Sequence, residues 1–237
     1  MLQEYNDLVD SATAVIKDII RQGRPIVISW SAGKDSSLLA NLTLTAAAEC
    51  RKEGHIPPPL FVTHADTLIE NPEMHRHAMT EMERMRDFAR DQNIDLQILI
   101  AQPRLTEHWA VQVIGRRALP TYPESQQRRC AADYKITPMK RLNAEILEKT
   151  KGLRPVRLVG SRFSESQVRG NRMRKRGDSD TIIRTDSKDR MDSLSPIALF
   201  STEDVWMYLA EVRDGLRPGY SDFKSVFALY KEASGDT

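Results

Sequence analysis

Four short apolar runs, each followed by a polar loop and most by a helix-length segment, constrain the fold more than any other feature. Ile26 to Trp30 (IVISW) is continuous and rich in β-branched residues, the pattern of a strand covered on both faces. Leu60–Thr63, Asp95–Ile100 and Val156–Val159 repeat it, the last closed by Gly160. Helical spacing of apolar residues runs from Ser36 or Ser37 to about Arg51, from about Glu73 to Asp91, and from Thr137-Pro138 to about Lys149. Thr137 reads as an N-cap with proline at the first helical position. Gln102 to Asp133 is less regular. A helix from Gln3 to Arg21 is stopped by Gly23 and Pro25, and late helices are expected near Thr202–Leu209 and Lys224–Ala233. Strands alternating with such helices predict parallel βαβ units. The expectation is an α/β chain with a single open, mostly parallel, twisted sheet flanked by helices, Rossmann-like in layout. It divides into an N-terminal helix (1–24), the α/β domain (25–211) and a C-terminal helical segment (212–237). Ligands of open parallel sheets bind beyond the carboxyl ends of the strands, so the loops after strands one, two and four should face one crevice.

Composition narrows the function classes. At 40% apolar and 29% charged over 237 residues, the chain is neither a disordered tail nor a membrane protein. No apolar run reaches the roughly 18–20 residues of a spanning helix. Met1 to Asp10 lacks the basic-then-apolar layout of a signal peptide. Two cysteines, Cys50 and Cys130, make no disulfide framework, so a cytoplasmic location is expected. The net charge of +2 does not by itself announce a nucleic-acid binder. The cations are uneven, however: Arg169, Arg172, Arg174, Lys175 and Arg176 are followed by Gly177-Asp178-Ser179-Asp180. That run fits a cover over nucleotide phosphates, a contact to DNA backbone, or a mobile loop. It has no interleaved aromatics for base stacking.

The strongest chemical signal is the passage from strand to helix through Ser31-Ala32-Gly33-Lys34-Asp35-Ser36-Ser37. Backbone N–H groups in such a turn, with the helix N-terminus behind them, form an anion site. Ser31, Ser36 and Ser37 add hydroxyl donors and Lys34 a cation. The spacing is not that of a Walker A loop. Arg162 and Arg169 follow the fourth strand and suit phosphate oxygens, with Glu165 as an orienting partner; a surface helix with charge pairs is the other reading. Asp35 and Asp66 are candidates to hold Mg²⁺ through water. Cys130 lies between Arg129 and Lys135, cations that favour a thiolate, although a small buried thiol is equally a property of free cysteine. Cys50 reads as packing. Among His55, His64, His75, His77 and His108 no zinc spacing occurs, and only His64, at a strand end, merits attention.

Ser31–Ser37 is similar to the S-G-G-K-D-S signature of the PP-loop ATP pyrophosphatases. Ala32 stands where that family usually has glycine. Either the backbone there is ordinary or its phosphate contacts are weaker. Three further blocks resemble the PAPS-reductase-like branch: Ala65 to Pro72, Arg128 to Pro138, and Leu158 to Arg169. Ser195-Pro196-Ile197 with Asp204-Val205-Trp206 extends the match. Glu70-Asn71-Pro72 and the ending Leu229 to Gly235 are most similar to DNA phosphorothioation sulfurtransferases of the DndC and SspD type. The resemblance implies an adenine nucleotide alpha hydrolase-like sheet. It places nucleotide contacts at Ser29, Ser31, Ala32, Gly33, Lys34, Asp35, Ser36, Ser37, Asp66, Thr67, Arg129, Lys135, Gly160, Arg162 and Glu165. It places catalytic roles at Lys34, Asp35, Arg162, Arg169 and Cys130, with Asp35 as the Mg²⁺ candidate.

The activity so implied converts ATP to AMP and pyrophosphate. It activates a DNA backbone phosphate by adenylation for sulfur insertion. A cysteine desulfurase, DNA bound through Arg169–Arg176, other phosphorothioation subunits and a second copy of the chain are the implied partners. Two cysteines cannot supply four thiolates, so a full iron–sulfur cluster is not expected from this chain alone. The alternatives are a PAPS or adenylyl-sulfate reductase-like enzyme, a non-catalytic ATP-binding sensor or assembly subunit, and a tRNA-thiolating enzyme. Against the first, no cysteine follows Cys130; against the last, no separate RNA-binding module is visible.

Overall fold

The computed structural model describes residues 2–115, 132–185 and 190–234. Five strands, β1 (Ile26–Ser29), β2 (Leu60–Ala65), β3 (Leu96–Ala101), β4 (Val156–Val159) and β5 (Asp192–Leu194), form one parallel sheet in the order β3-β2-β1-β4-β5. Ile26 is level with Leu60 on one side and Val156 on the other. The chain therefore winds outward from β1 in both directions. Loops leaving β1 and β4 part at the junction where open sheets bind ligands.

Alternation along the strands feeds two cores. Ile26, Ile28, Leu60, Val62, Val156 and Leu158 join the larger one, built with α1 (Leu2–Arg21), α2 (Lys34–Lys52), α3 (Pro72–Asp91), α7 (Thr202–Arg213) and α8 (Lys224–Ser234). Val27, Phe61 and Met191 point the other way, towards Ile146 of α5 (Thr137–Lys149). Helix α2 is buried almost all round, since α1, α7 and the sheet each pack against it. Its Ala46, Ala47 and Ala48 allow that close approach. Two further helices, α4 (Trp109–Val113) and α6 (Gln167–Arg176), complete the described elements longer than one turn, with a 3-10 turn at Leu105–Glu107. None of the described helices is long and apolar enough to cross a membrane.

Several boundaries depart from the sequence reading. Helix α2 starts at Lys34, with Gly33 as N-cap, so Lys34 and Asp35 belong to its first turn. Strand β2 extends through His64 and Ala65. Thr137 is not a cap: a π-helical turn over Ala132–Ile136 runs straight into α5, and Ile136 already has helical backbone. Strand β5 was not expected, because Asp192-Ser193-Leu194 is short and polar. Asp192 is tolerated there because Arg24 and Arg154 reach its two oxygens at 2.5 and 2.6 Å. The basic run is helical rather than a loop. Ser166 Oγ caps α6 by accepting the Arg169 N–H, and Gly177 ends it at φ +74°.

Two buried polar groups fix the segment after α7 near β1. Asn41 Nδ2 donates to Tyr208 Oη at 3.0 Å and to the Pro218 carbonyl at 3.1 Å, and its Oδ1 accepts from the Tyr220 N–H. Glu81 Oε1 accepts from Arg84, Ser221 and Ser225. Helix α8 is thereby held over the start of α2.

Candidate nucleotide site

Beyond Ser29 the chain turns through Ser31, Ala32 and Gly33 into α2. Ala32 takes φ +63°, so the left-handed turn is made despite the Cβ. Its carbonyl oxygen lies 3.2 Å from His77 Nε2. Ser36 Oγ closes the turn, accepting the Ser31 N–H at 3.1 Å and donating to the Gly33 carbonyl at 3.0 Å. The first-turn N–H groups of α2 have no intrahelical acceptor and form the positive end of a 19-residue helix. The end of β4 comes close beside them. A Cβ on Gly160 would stand 3.2 Å from the Asp35 carbonyl group and 3.3 Å from Ser36 Cα, so glycine is what lets the two approach. Between them lies a cavity of about 300 Å³ lined by Ser29, Ser31, Gly33, Asp35, Ser36, Gly160, Ser161, Glu165, Arg169 and Tyr230, with Val159.

The charges around it are paired. Arg162 is only 1% exposed. Its Nε donates to Asp35 Oδ1 at 2.7 Å, and its terminal nitrogens reach Ser164 Oγ, the Phe200 carbonyl and Thr202 Oγ1. Lys34 Nζ is 3.0 Å from Asp35 Oδ2 and lies over the Tyr230 ring. Tyr230 Oη also accepts the Lys34 N–H at 3.4 Å. Arg169 pairs with Glu165 one turn earlier and is half exposed, so its guanidinium is the cation at the cavity wall that faces solvent.

Two further cavities adjoin. One of about 190 Å³ shares Ser29 and Ser31 and adds Trp30, Thr63, His64, Glu70, Lys135 and Met139. The His64 ring lies 5.4 Å from Trp30, with Nδ1 3.3 Å from the Trp30 carbonyl oxygen. Burial pushes the imidazoles of His64 and His77 below their usual range. Lys135 Nζ meets Glu70 at 3.2 Å. The other, about 590 Å³, contains Asp66, Leu68, Glu70, His75 and Met79.

The structure gathers Ser29, Ser31, Gly33, Asp35, Ser36, Gly160, Glu165 and Arg169 around one cavity, and Lys34 at its edge. Other expectations need correction. Ala32 is buried and in the left-handed region, which overturns the ordinary-backbone alternative. Ser37 is fully buried and does not line the cavity. Arg162 does not line the cavity; its guanidinium nitrogens reach Asp35, Ser164, the Phe200 carbonyl and Thr202. Asp66 and Thr67 are buried outside the loop cavity, and the Asp66 oxygens accept from the Leu68 N–H and Gln102. Asp35, the candidate for Mg²⁺ held through water, has Arg162 Nε on one oxygen and Lys34 Nζ on the other. Among the described residues no three His, Cys, Asp or Glu side chains converge on a metal position. Arg129 and Cys130 lie outside the described residues. Cys50 is buried, and burial pushes its thiol up, as packing requires.

Tyr230 and Ser161 are lining residues that residue-type reasoning missed. Tyr230 sits three residues after Phe227, and both rings pack against Trp206 at 5.0 Å, so helical spacing carried the signal.

The family model for the phosphoadenosine phosphosulfate reductase domain matches residues 25–214, which holds every residue of the loop cavity except Tyr230. The chain belongs to that family. No curated protein matches the sequence. Among solved structures the fold is similar to the U34-tRNA thiolase NcsA from Methanococcus maripaludis, solved with its 4Fe-4S cluster. That match has a TM-score of 0.51 and 12% identity, covering 97% of this chain and 73% of the other. It is also similar to NAD+ synthetase from Burkholderia pseudomallei, with a TM-score of 0.51 and 14% identity, covering 94% and 84%. At these identities the likeness is one of fold: a single parallel sheet of the kind expected from the PP-loop resemblance.

Proposed function

We propose that the chain is an ATP pyrophosphatase that adenylates an acceptor phosphate for sulfur insertion, with DNA backbone as the acceptor. The observation that carries the reading is the β1–α2 cavity, where backbone donors, Ser31, Ser36 and Arg169 converge at the junction of β1 and β4. The phosphates of ATP lie in that cavity. The adenosine extends past the shared Ser29 and Ser31 into the pocket of Trp30, His64 and Met139. A non-bridging oxygen of the acceptor attacks the α-phosphorus. That P–O bond forms as the bond to the β-phosphate oxygen breaks, and pyrophosphate leaves.

Arg169, released from Glu165, and the donors of the α2 N-terminus stabilise the charge that develops. Arg162 and Lys34 hold Asp35, and through it the first turn of α2, in place. A persulfide from a cysteine desulfurase displaces AMP, and a thiol reduces the resulting disulfide to leave phosphorothioate. Cys130 is the candidate to relay that sulfur. The thiolase among the structural neighbours supports sulfur chemistry on this fold, and the family match supports a nucleotide substrate.

The test combines the protein with ATP, Mg²⁺, a cysteine desulfurase, radiosulfur-labelled cysteine, thiol and duplex DNA, followed by nuclease digestion. Label in a nuclease-resistant dinucleotide is expected, and is lost with Lys34→Ala. Label in tRNA alone, or sulfite release from phosphoadenylyl sulfate instead, would replace DNA thiolation with another sulfur chemistry.

A further inference from the structure

The largest of these cavities does not lie over the loop. It is about 770 Å³, opens on the far side of β4, and is lined, among the described residues, by Arg157, Arg169, Arg172, Arg176 and Arg184 with one carboxylate, Asp178. Four serines, Ser161, Ser166, Ser193 and Ser195, complete its polar wall. The arginines come from separate elements: Arg157 from β4, three from α6, and Arg184 from the segment that bridges to Ser193 of β5. They are held in place. Asp178 is nearly buried and takes Arg176 at 2.6 Å and Arg184 at 3.2 Å, which fixes two guanidinium groups beside each other. Arg157 touches Met191 Sδ at 3.2 Å. Helix α6 is docked by the fully buried Met173 and by Arg174 over the Phe163 ring. The Arg172 side chain makes no hydrogen bond or ion pair among the described residues.

We infer that this cleft is the site of a second, polyanionic substrate, the phosphodiester backbone of a nucleic acid. The inference rests on the ATP reading of the loop cavity, because the two cavities share Val159, Ser161 and Arg169. A phosphate seated among the arginines is thus separated from the α2 N-terminus by the wall that Val159, Ser161 and Arg169 form. The cleft lies on the opposite side of the loop cavity from the Trp30 and His64 pocket, so nucleotide and polymer enter from different directions. Among the described residues, five arginines face the cleft against Asp178 and the Glu165 paired with Arg169, and guanidinium forks suit phosphate oxygens. None of the described lining residues is aromatic, so contact is with backbone rather than stacked bases, and base sequence has little influence on affinity.

The experiment is fluorescence polarisation with labelled 30-nucleotide DNA and RNA of the same sequence, over a range of salt, with ATP binding measured separately. At least one polymer is expected to bind with a steep salt dependence, and the stronger one names the source of the phosphodiester. Arg172→Gln is expected to weaken it about tenfold and to reduce the salt slope by about one, whereas Arg172→Lys restores most of the affinity. Arg172 is at the helix surface, so folding is not at stake, and circular dichroism checks it. Binding of neither polymer, an unchanged affinity in Arg172→Gln, or full competition by adenosine 3′,5′-bisphosphate at equal phosphate concentration would overturn the inference. Polymer binding without ATP binding would instead overturn the ATP reading and leave the cleft assignment standing.

Discussion

Ala32 carries the largest local tension in the site. A left-handed alanine costs about 1–2 kcal/mol more than its right-handed form, and its buried methyl returns about 0.8 kcal/mol. Ala32→Gly is therefore expected to stay within about 1 kcal/mol of wild type in urea unfolding, because strain relief and lost burial offset each other. Ala32→Val places a β-branched residue at φ +63° and is expected to cost about 2 kcal/mol or more. Asp35 gives a second expectation. Asp35→Ala strands the buried guanidinium of Arg162 and should cost about 3 kcal/mol, with Asp35→Asn intermediate. His64 and His77 give a third. Burial lowers both from 6.5, so their neutral forms stabilise the fold fully above that value. The stabilisation is lost as pH falls from there through the folded-state values. The denaturation midpoint is expected to fall between about pH 7 and pH 5.5, less steeply in His64→Gln; a flat midpoint would contradict it. At this scale the sequence showed which residues meet the loop, since Ser31–Ser37 follows a strand directly. It did not show that Ser37 and Arg162 are buried, because that depends on α3, α7 and the segment around Phe200, which are distant in sequence.

Among the elements, α2 and the segment after α7 are joined through Asn41. Asn41→Ala removes three hydrogen bonds and leaves the Pro218 carbonyl and the Tyr220 N–H unmatched, with Thr45 still beside Tyr208 Oη. A loss of about 2–4 kcal/mol is expected. Amide exchange at 218–230 should speed up more than exchange in β3. Equal acceleration everywhere would mean that Asn41 does not act through that segment. Long helices and β-branched strands were legible because their periodicity spans many residues. Strand β5 was not, since three residues carry no period and Asp192 is explained only by Arg24 and Arg154. The basic stretch after Ser166 carried the cap and stop of a helix, Ser166 and Gly177, but its charge density masked them. Tyr230 was hidden for a related reason: α8 is set over the loop by contacts with Trp206 and Glu81, which are distant from it in sequence.

For the molecule as a whole, the parallel alternation placed the loops after β1 and β4 at one crevice, and the sheet order bears this out. The loop after β2 instead leads to the neighbouring cavities, because its Asp66 is turned inward to Leu68 and Gln102. The three chambers, one with Trp30 and His64, one over the α2 N-terminus and one lined by arginines, follow from side-chain packing that no single segment encodes. On the proposed reading, their contiguity gives the molecule a direction: nucleotide on one side, phosphates in the middle, polyanion on the other. The most direct test is product analysis with α-labelled ATP, Mg²⁺ and nucleic acid, comparing wild type with Lys34→Ala. Labelled AMP with pyrophosphate, formed by wild type and lost in the variant, is the expected result. Labelled ADP with free phosphate, or AMP formed equally by both proteins, would contradict cleavage at the β1–α2 loop.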